Sequence, residues 1–331
     1  MDNRLPQTDR RNALRGMVGL GAAAVALPLF PRIITSPAQA QAAFGVQKGM
    51  SDLVHIKGSA VEAVPMAEWE TASTSAEAAG SPLRYLMGAE AAKAPKDAAH
   101  YTVKTFDFPS GSIRVLTFKK GSPLLHQISF ETEIFFVSGS ATLSPLFGLE
   151  GKTEKINAGD ALFQPGGMLR NPKCSEDTVL VTWVVGNAKQ SPKGSIVRGK
   201  GLKEASRAEW QENGKDISAR DAAAMKKAPK DAVTLITKRY EADGNSIRHA
   251  LLKKGTRTSL GTTSRNDVLI YLVKGRLGRK EGDQHFEMVA GDAMREKMGN
   301  PGYWEVPEDS IFLATDAPFN PAMYSPTMVA R

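Results

Sequence analysis

KAPKDA occupies Lys93–Ala98 and returns at Lys227–Ala232, 134 positions later. Outward from this pair the match continues. Ser112-Ile113-Arg114 answers Ser246-Ile247-Arg248, and Lys119-Lys120-Gly121 answers Lys253-Lys254-Gly255. Further on, Ala158-Gly159-Asp160-Ala161 answers Ala290-Gly291-Asp292-Ala293, and Glu176-Asp177-Thr178 answers Glu308-Asp309-Ser310, now at an offset of 132, which small changes in loop length explain. Upstream, Ala67-Glu68-Trp69 recurs as Ala208-Glu209-Trp210. Solenoid and propeller repeats have periods of about 20–50 residues, so a repeat this long is a whole domain written twice.

Residues 1–40 belong to a different argument. Thr8-Asp9-Arg10-Arg11-Asn12-Ala13-Leu14-Arg15 precedes a Gly- and Ala-rich apolar stretch from Met17 to Phe30, then Ala38-Gln39-Ala40. This resembles a twin-arginine (Tat) export signal cut after Ala40, with Ala13 where the pattern prefers a larger apolar residue and Asp9 ahead of the arginine pair. The apolar stretch is too short for a membrane helix, which needs about 20 residues. The resemblance implies a periplasmic protein handled by the Tat machinery, without stable membrane insertion. Removing residues 1–40 leaves 38 basic and 33 acidic residues, a net charge of +5. That mild excess lacks the clustered Lys/Arg with interleaved aromatics expected of a nucleic-acid binder. The single Cys174 cannot form an internal disulfide, so stability in an oxidising compartment must come from hydrophobic cores.

Composition divides the remainder into an arm over 41–92, a first barrel over 93–195, a linker over 196–226 and a second barrel over 227–331. Helical spacing in Val61–Ser73 predicts short helices in the arm, and the charged, Ala-rich Leu202–Lys226 predicts a surface helix in the linker. Each repeat then reads as short strands. These are Ile113–Phe118, Ile134–Val137, Ala141–Leu143, Ala161–Phe163 and Val179–Val185 in the first copy. In the second they are Ile247–Leu252, Val268–Val273, His285–Val289, Ala293–Glu296 and Ile311–Ala314. Such a rhythm predicts a sandwich or barrel, with hairpins closed at Ser138-Gly139 and Lys274-Gly275.

GSPLLHQISFETEIFFVSG, Gly121–Gly139, resembles the first motif of the cupin family, G-x5-H-x-H-x3-4-E-x6-G. GDALFQPGGMLR, Gly159–Arg170, resembles the second, G-x5-P-x-G-x2-H, and GDAMREKMGNPG, Gly291–Gly302, repeats its frame. The resemblance covers residues of about 90 to 318 and implies an all-β bicupin: two tandem jelly-roll barrels related by internal duplication, with flanking short helices.

Catalytic cupins hold Mn, Fe, Ni, Cu or Zn between histidines and a glutamate, with positions left open for substrate. Here the motifs are degenerate. His126 matches the first histidine, but Ile128 and Arg170 stand at the other two. Glu133 fits the spacing from His126 and lies one residue too close to Gly139, which leaves Glu131 as a rival. In the second barrel Leu260–Asp267, LGTTSRND, has no histidine, and Gly302 replaces the last one. A guanidinium stays charged and repels a cation. Arg170 facing Glu133 or Glu131 either forms an internal ion pair or presents a fork to a ligand carboxylate or phosphate; turned outward at the barrel mouth it does neither. His55, His100, His249 and His285 show no metal-ligand spacing, and Phe135, Phe163, Trp183, Tyr271, Trp304 and Phe312 read most simply as core.

Two function classes follow. In the first, the protein binds a small organic ligand, an anion among the candidates, through His126, Glu131, Glu133, Gln164 and Arg170, or serves as an accessory protein; it needs no metal or other cofactor. The second is a metal enzyme of dioxygenase, isomerase or lyase type with one divalent transition metal in the first barrel. Loss of ligands in both barrels favours the first class; Tat export, which carries folded and often cofactor-loaded proteins, favours the second. Homodimer formation is left open. No G-x-S-x-G elbow supports a serine hydrolase, and no Gly-rich phosphate loop precedes a helix.

Overall fold

The computed structural model describes residues 53–66, 101–120, 127–129, 133–145, 153–163, 168–185, 194–242, 244–258, 266–281, 284–297 and 303–317. They form an all-β chain of two tandem double-sheet barrels, the jelly-roll architecture implied by the motifs. The strands of the first half are β1 (Leu53–Ile56), β2 (Val64–Met66), β3 (Tyr101–Phe108), β4 (Gly111–Phe118), β5 (Gln127–Ser129), β6 (Glu133–Ser138), β7 (Ser140–Pro145), β8 (Glu154–Asn157), β9 (Ala161–Phe163), β10 (Met168–Cys174), β11 (Thr178–Val185) and β12 (Ser195–Val197). The second half contains β13 (Ala205–Glu212), β14 (Lys215–Ala219), α1 (Ala222–Lys227), β15 (Val233–Ala242), β16 (Asn245–Leu252), β17 (Arg257–Thr258), β18 (Asp267–Lys274), β19 (Arg276–Glu281), β20 (Gln284–Val289), β21 (Ala293–Glu296), β22 (Trp304–Glu305) and β23 (Ser310–Ala317).

Each barrel has a wide sheet and a narrow one. In barrel 1 these run β12-β9-β6-β11-β4-β3-β2 and β5-β10-β7-β8; in barrel 2, β1-β21-β18-β23-β16-β15-β13-β14 and β17-β22-β19-β20. The wide sheets are buried on both faces, because alternate residues point to opposite sides. Ile134 and Phe136 of β6 pack with Leu143, Ile156 and Cys174 inside barrel 1. Ile270 and Leu272 of β18 pack with Leu277, Phe286 and Trp304 inside barrel 2. The intervening residues meet across a seam, where Phe106, Phe135, Phe163 and Trp183 of barrel 1 pack with Tyr240, Ile247, Leu269 and Leu313 of barrel 2. Burial of each such side chain contributes about 1.5–3 kcal/mol, so the seam holds the barrels together as one unit.

The first strand of each repeat lies on the opposite barrel. β1, which precedes barrel 1 in sequence, pairs antiparallel with β21 of barrel 2, Ile56 opposite Ala293. β12 pairs with β9 of barrel 1, Val197 opposite Ala161. Both strands are anchored alike. Asp292 accepts from Gly58 N at 2.8 Å and is 2.8 Å from His55 Nε2. Asp160 accepts from Gly199 N at 3.0 Å and from Arg198 Nη1 at 2.8 Å. A Cβ at Gly58 would lie 2.1 Å from Gly291 O, and one at Gly199 would lie 1.9 Å from Gly159 O, so only glycine permits these approaches. The repeat therefore begins near residue 53, with an offset of 141 over this segment, the same offset as the AEW pair.

Gly159 and Gly291 occupy the same place in their barrels. Gly159 N donates to Phe136 O and Gly291 N to Leu272 O, each at 2.8 Å. Gly167, Gly299 and Gly302, expected to continue this correspondence, lie outside the described residues.

Three expectations are corrected. Val64–Met66 is strand rather than helix, paired with β3. The linker forms β12, the β13-β14 hairpin and only a six-residue α1, capped by Asp221. Asn213 and Gly214 take φ of 52° and 75° at the hairpin tip; this Asn-Gly dipeptide is the strongest short hairpin signal, and it confines the helix to the Ala-rich residues beyond it, which form α1. Gly139 and Gly275 do not close hairpins. They turn the chain from the wide sheet to the narrow one, from β6 to β7 and from β18 to β19, at φ of 78° and 89°. A Cβ at Gly139 would meet Asp177 O at 2.4 Å, and one at Gly275 Ser310 Oγ at 2.3 Å.

Candidate functional site

Glu133 opens β6 on the same face as Phe135 and opposite to Ile134, so its carboxyl enters the seam and not the interior of barrel 1. There it accepts a 2.5 Å hydrogen bond from Thr315 Oγ1 of barrel 2, and its side chain is fully enclosed. Burial pushes its pKa up to about 8, the Thr315 hydrogen bond pulls it back, Asp316 raises it and the contact with Ser246 backbone lowers it. At neutral pH the group is largely protonated. The one-residue misfit to Gly139 is the reason for this orientation, because a shift of one position turns a side chain to the other face of a sheet. Seven residues before Gly139 stands Thr132, outside the described residues; seven before Gly275 stands Val268, whose side chain is in the interior of barrel 2.

His126, Glu131 and Gln164 also lie outside the described residues. Arg170 is placed by its backbone in β10, opposite Gln127 and Pro145; its side chain is not among those described. Glu296, which holds the position of Gln164 in the second repeat, is buried inside barrel 2. Its Oε1 is 3.0 Å from Arg279 Nη1, with both side chains at most 1% exposed, and the Arg279 guanidinium lies 5.7 Å from the centre of the Trp304 ring. Burial raises the Glu296 pKa to about 7, with Arg279 opposing. Beside this pair Arg248 Nη2 is 3.3 Å from Asp316 Oδ1. Arg248 feels the charge of Glu296 as well, and burial lowers its pKa.

This donor set does not fit a divalent metal. Two guanidinium groups stand among the carboxylates, no described histidine joins them, and a cation placed there would face two fixed positive charges. Among the described residues no group of three His, Cys, Asp or Glu converges as a metal site. His55 is committed to Asp292, His285 is exposed on β20, and His100 lies outside the described residues.

A cavity among the described residues lies at the seam. It has a volume of about 260 Å³ and is lined by Phe135, Ala158, Gly159, Gly199, Lys200, Lys238, Tyr240 and His249. The His249 ring stacks on Phe135 with centroids 5.7 Å apart and planes at 17°, while Tyr240 meets Phe135 edge-on at 5.2 Å. Tyr240 OH donates to Gly159 O at 2.8 Å. Burial, then Lys238, lowers the His249 pKa, which favours the uncharged ring. Sequence reasoning passed over this site because it treated each histidine by itself. The signal was present in the repeat: at the offset of 134, His249 stands where the first copy has Val115, and Tyr240 where it has Phe106.

No family model and no curated protein matches the sequence. Among solved structures, a variant of oxalate decarboxylase from Bacillus subtilis is similar at a TM-score of 0.46 and 12% identity, covering 68% of this chain and 74% of that one. The protein Ylba from E. coli is similar at a TM-score of 0.42 and 13% identity, covering 65% of this chain and 82% of that one. Neither likeness carries an activity to this chain.

Proposed function

We propose that the chain is an exported periplasmic bicupin that binds a small organic ligand, with an anion favoured, and that it does so without a cupin-type metal site. The observation that supports this reading most is the interior of barrel 2, where the polar groups are arginine–carboxylate pairs beside Trp304. The seam-facing Glu133 adds to it, since it removes that carboxylate from the set a metal in barrel 1 would need. Binding in barrel 1 then rests on His126, Glu131, Gln164 and Arg170, with Arg170 as the partner for a ligand carboxylate or phosphate.

Metal analysis of the protein purified from its native periplasm tests this. Less than one equivalent of transition metal is expected, and His126→Ala should alter stability or ligand affinity only. One tightly held Mn, Fe, Ni, Cu or Zn per chain, lost in His126→Ala together with an activity, overturns the reading in favour of a metal enzyme using barrel 1. The export half is tested separately. Arg10→Lys with Arg11→Lys should trap uncut precursor in the cytoplasm, whereas the wild-type chain should start at Gln41.

A further inference from the structure

We propose that the seam cavity beside β9 and β12 is a binding site for a small carboxylate carrying a planar ring. This goes beyond the reading above, because the site needs neither His126 nor Arg170. At about 260 Å³ the cavity falls just below the range of about 300–1,000 Å³ typical of drug-sized ligands, which suits a single ring with one acidic group. Its wall is the Phe135–His249 stack, its edge is Tyr240, and its charge comes from Lys200 and Lys238. Among the described residues no carboxylate side chain lines it. Lys238 Nζ is 3.6 Å from Glu204 Oε1, a half-exposed contact that competes weakly with a bound anion. Asp160 is already committed to Gly199 N, Asn157 N and Arg198.

The duplicated corner supplies an independent argument. Register makes Lys104, Phe106, Val115 and Tyr271 the counterparts of Lys238, Tyr240, His249 and Phe135, with Ser59 matching Lys200. In that corner Lys104 Nζ donates to Gly58 O at 2.9 Å, and Phe106 packs edge-on against Tyr271 at 6.1 Å. That corner keeps a tethered lysine and one phenol, on Tyr271 instead of Tyr240, with Val115 in place of the imidazole and Ser59 in place of Lys200, so the architecture needs neither the imidazole nor the second cation. Placing an imidazole at position 249 adds a desolvation cost that Val115 avoids in the other corner, and Lys200 adds a cation where that corner has Ser59. A ligand-binding role accounts for both changes together.

Calorimetric titration of the purified protein with benzoate tests the proposal, using benzyl alcohol as the uncharged control and acetate as the control without a ring. Saturable benzoate binding with a dissociation constant below about 1 mM is expected, with neither control saturating. The Lys200→Met/Lys238→Met pair should weaken it at least about tenfold, equal to about 1.4 kcal/mol. His249→Val, which installs the residue of the other corner, should also weaken it, and Lys104→Met should leave it unchanged. In the wild type, benzoate should shift the His249 imidazole resonances, a readout that does not depend on the variants folding. No saturation by about 10 mM benzoate, or undiminished binding in the lysine pair, overturns the proposal. Binding lost in Arg170→Gln but retained in the lysine pair would overturn it while supporting a ligand in barrel 1.

Discussion

At the point where barrel 1 turns Glu133 into the seam, barrel 2 turns Leu269; where barrel 1 places Leu143 inside its core, barrel 2 places Arg279. The two copies thus carry buried charge-bearing groups at different positions and satisfy them differently. Glu133 is held from the other barrel by the Thr315 hydroxyl and the Ser246 backbone and kept largely protonated. Arg279 and Glu296 neutralise each other within one barrel. What both copies keep are the residues that make the backbone possible: Gly139 and Gly275 at the sheet-to-sheet turns, Asp160 and Asp292 at the strand anchors. Duplication here preserved chain geometry and left interior charge free to diverge.

The comparison breaks first at the ion pair. Arg279→Met leaves Glu296 buried without its partner and should destabilise by about 3–5 kcal/mol, while Arg279→Met/Glu296→Leu should recover most of the loss. Urea unfolding of the three proteins measures this. Equal loss in the single and double variants would mean that packing around Trp304, not charge, holds this region.

Asp292→Ala comes next. It removes acceptors used by His55, Gly58 N and Val289 N, and a loss of about 3 kcal/mol follows from charged hydrogen bonds of about 1.5–3 kcal/mol each with partial compensation by water. Burial opposes ionisation of Asp292, but these hydrogen bonds outweigh it and lower its pKa. Its contribution is therefore present above the ordinary value of 3.8 and is lost as pH falls through the folded value. Hydrogen exchange should increase at residues 53–58 in this variant, whereas Asp160→Ala should expose residues 195–199.

Glu133→Gln should move stability the other way. The folded carboxyl titrates near 8 against 4.5 when free, so the folded state holds the extra proton between those values. Its contribution to stability is complete below pH 4.5 and is lost as pH rises through 8. The amide should gain on the order of 2–3 kcal/mol at pH 7 and flatten part of the decline in stability between pH 5 and 8. Glu296 titrates in the same window and should preserve the remainder. An unchanged pH profile would contradict burial of Glu133 in the seam.

The smallest effect is expected at the exposed turns. Asp177 accepts from Lys120 N and Asp309 from Lys254 N, each at 2.8 Å, and these backbone hydrogen bonds lead the causes that lower both pKa values. Asp177→Asn and Asp309→Asn should shift the urea midpoint equally and only slightly. Unequal shifts would show that the copies differ at their surface turns as well.

Much of the fold was legible because β-periodicity is local. The ten strands read from the alternation of apolar residues all appear, each with its ends within a few residues. Thirteen of the described strands were not read; the longest of these, β3, β13 and β15, carry Thr102, Lys104, Arg207, Glu209, Lys238 and Glu241, which interrupt the apolar pattern. The site was less legible. Two of the aromatics read as core, Phe135 and Tyr271, are half of the paired seam corners, and nothing local to either residue distinguishes a seam from a barrel interior.

By itself the sequence determined that the chain is a duplicated all-β protein, because repeats, turns and short strand runs are written in neighbouring residues. Tertiary structure alone decided that β1 and β12 cross to the opposite barrel, that Glu133 meets Thr315, and that Lys200, Lys238, Tyr240 and His249 share one cavity. Those contacts join residues far apart in the chain, and which face of a strand meets which partner depends on the whole sheet being assembled.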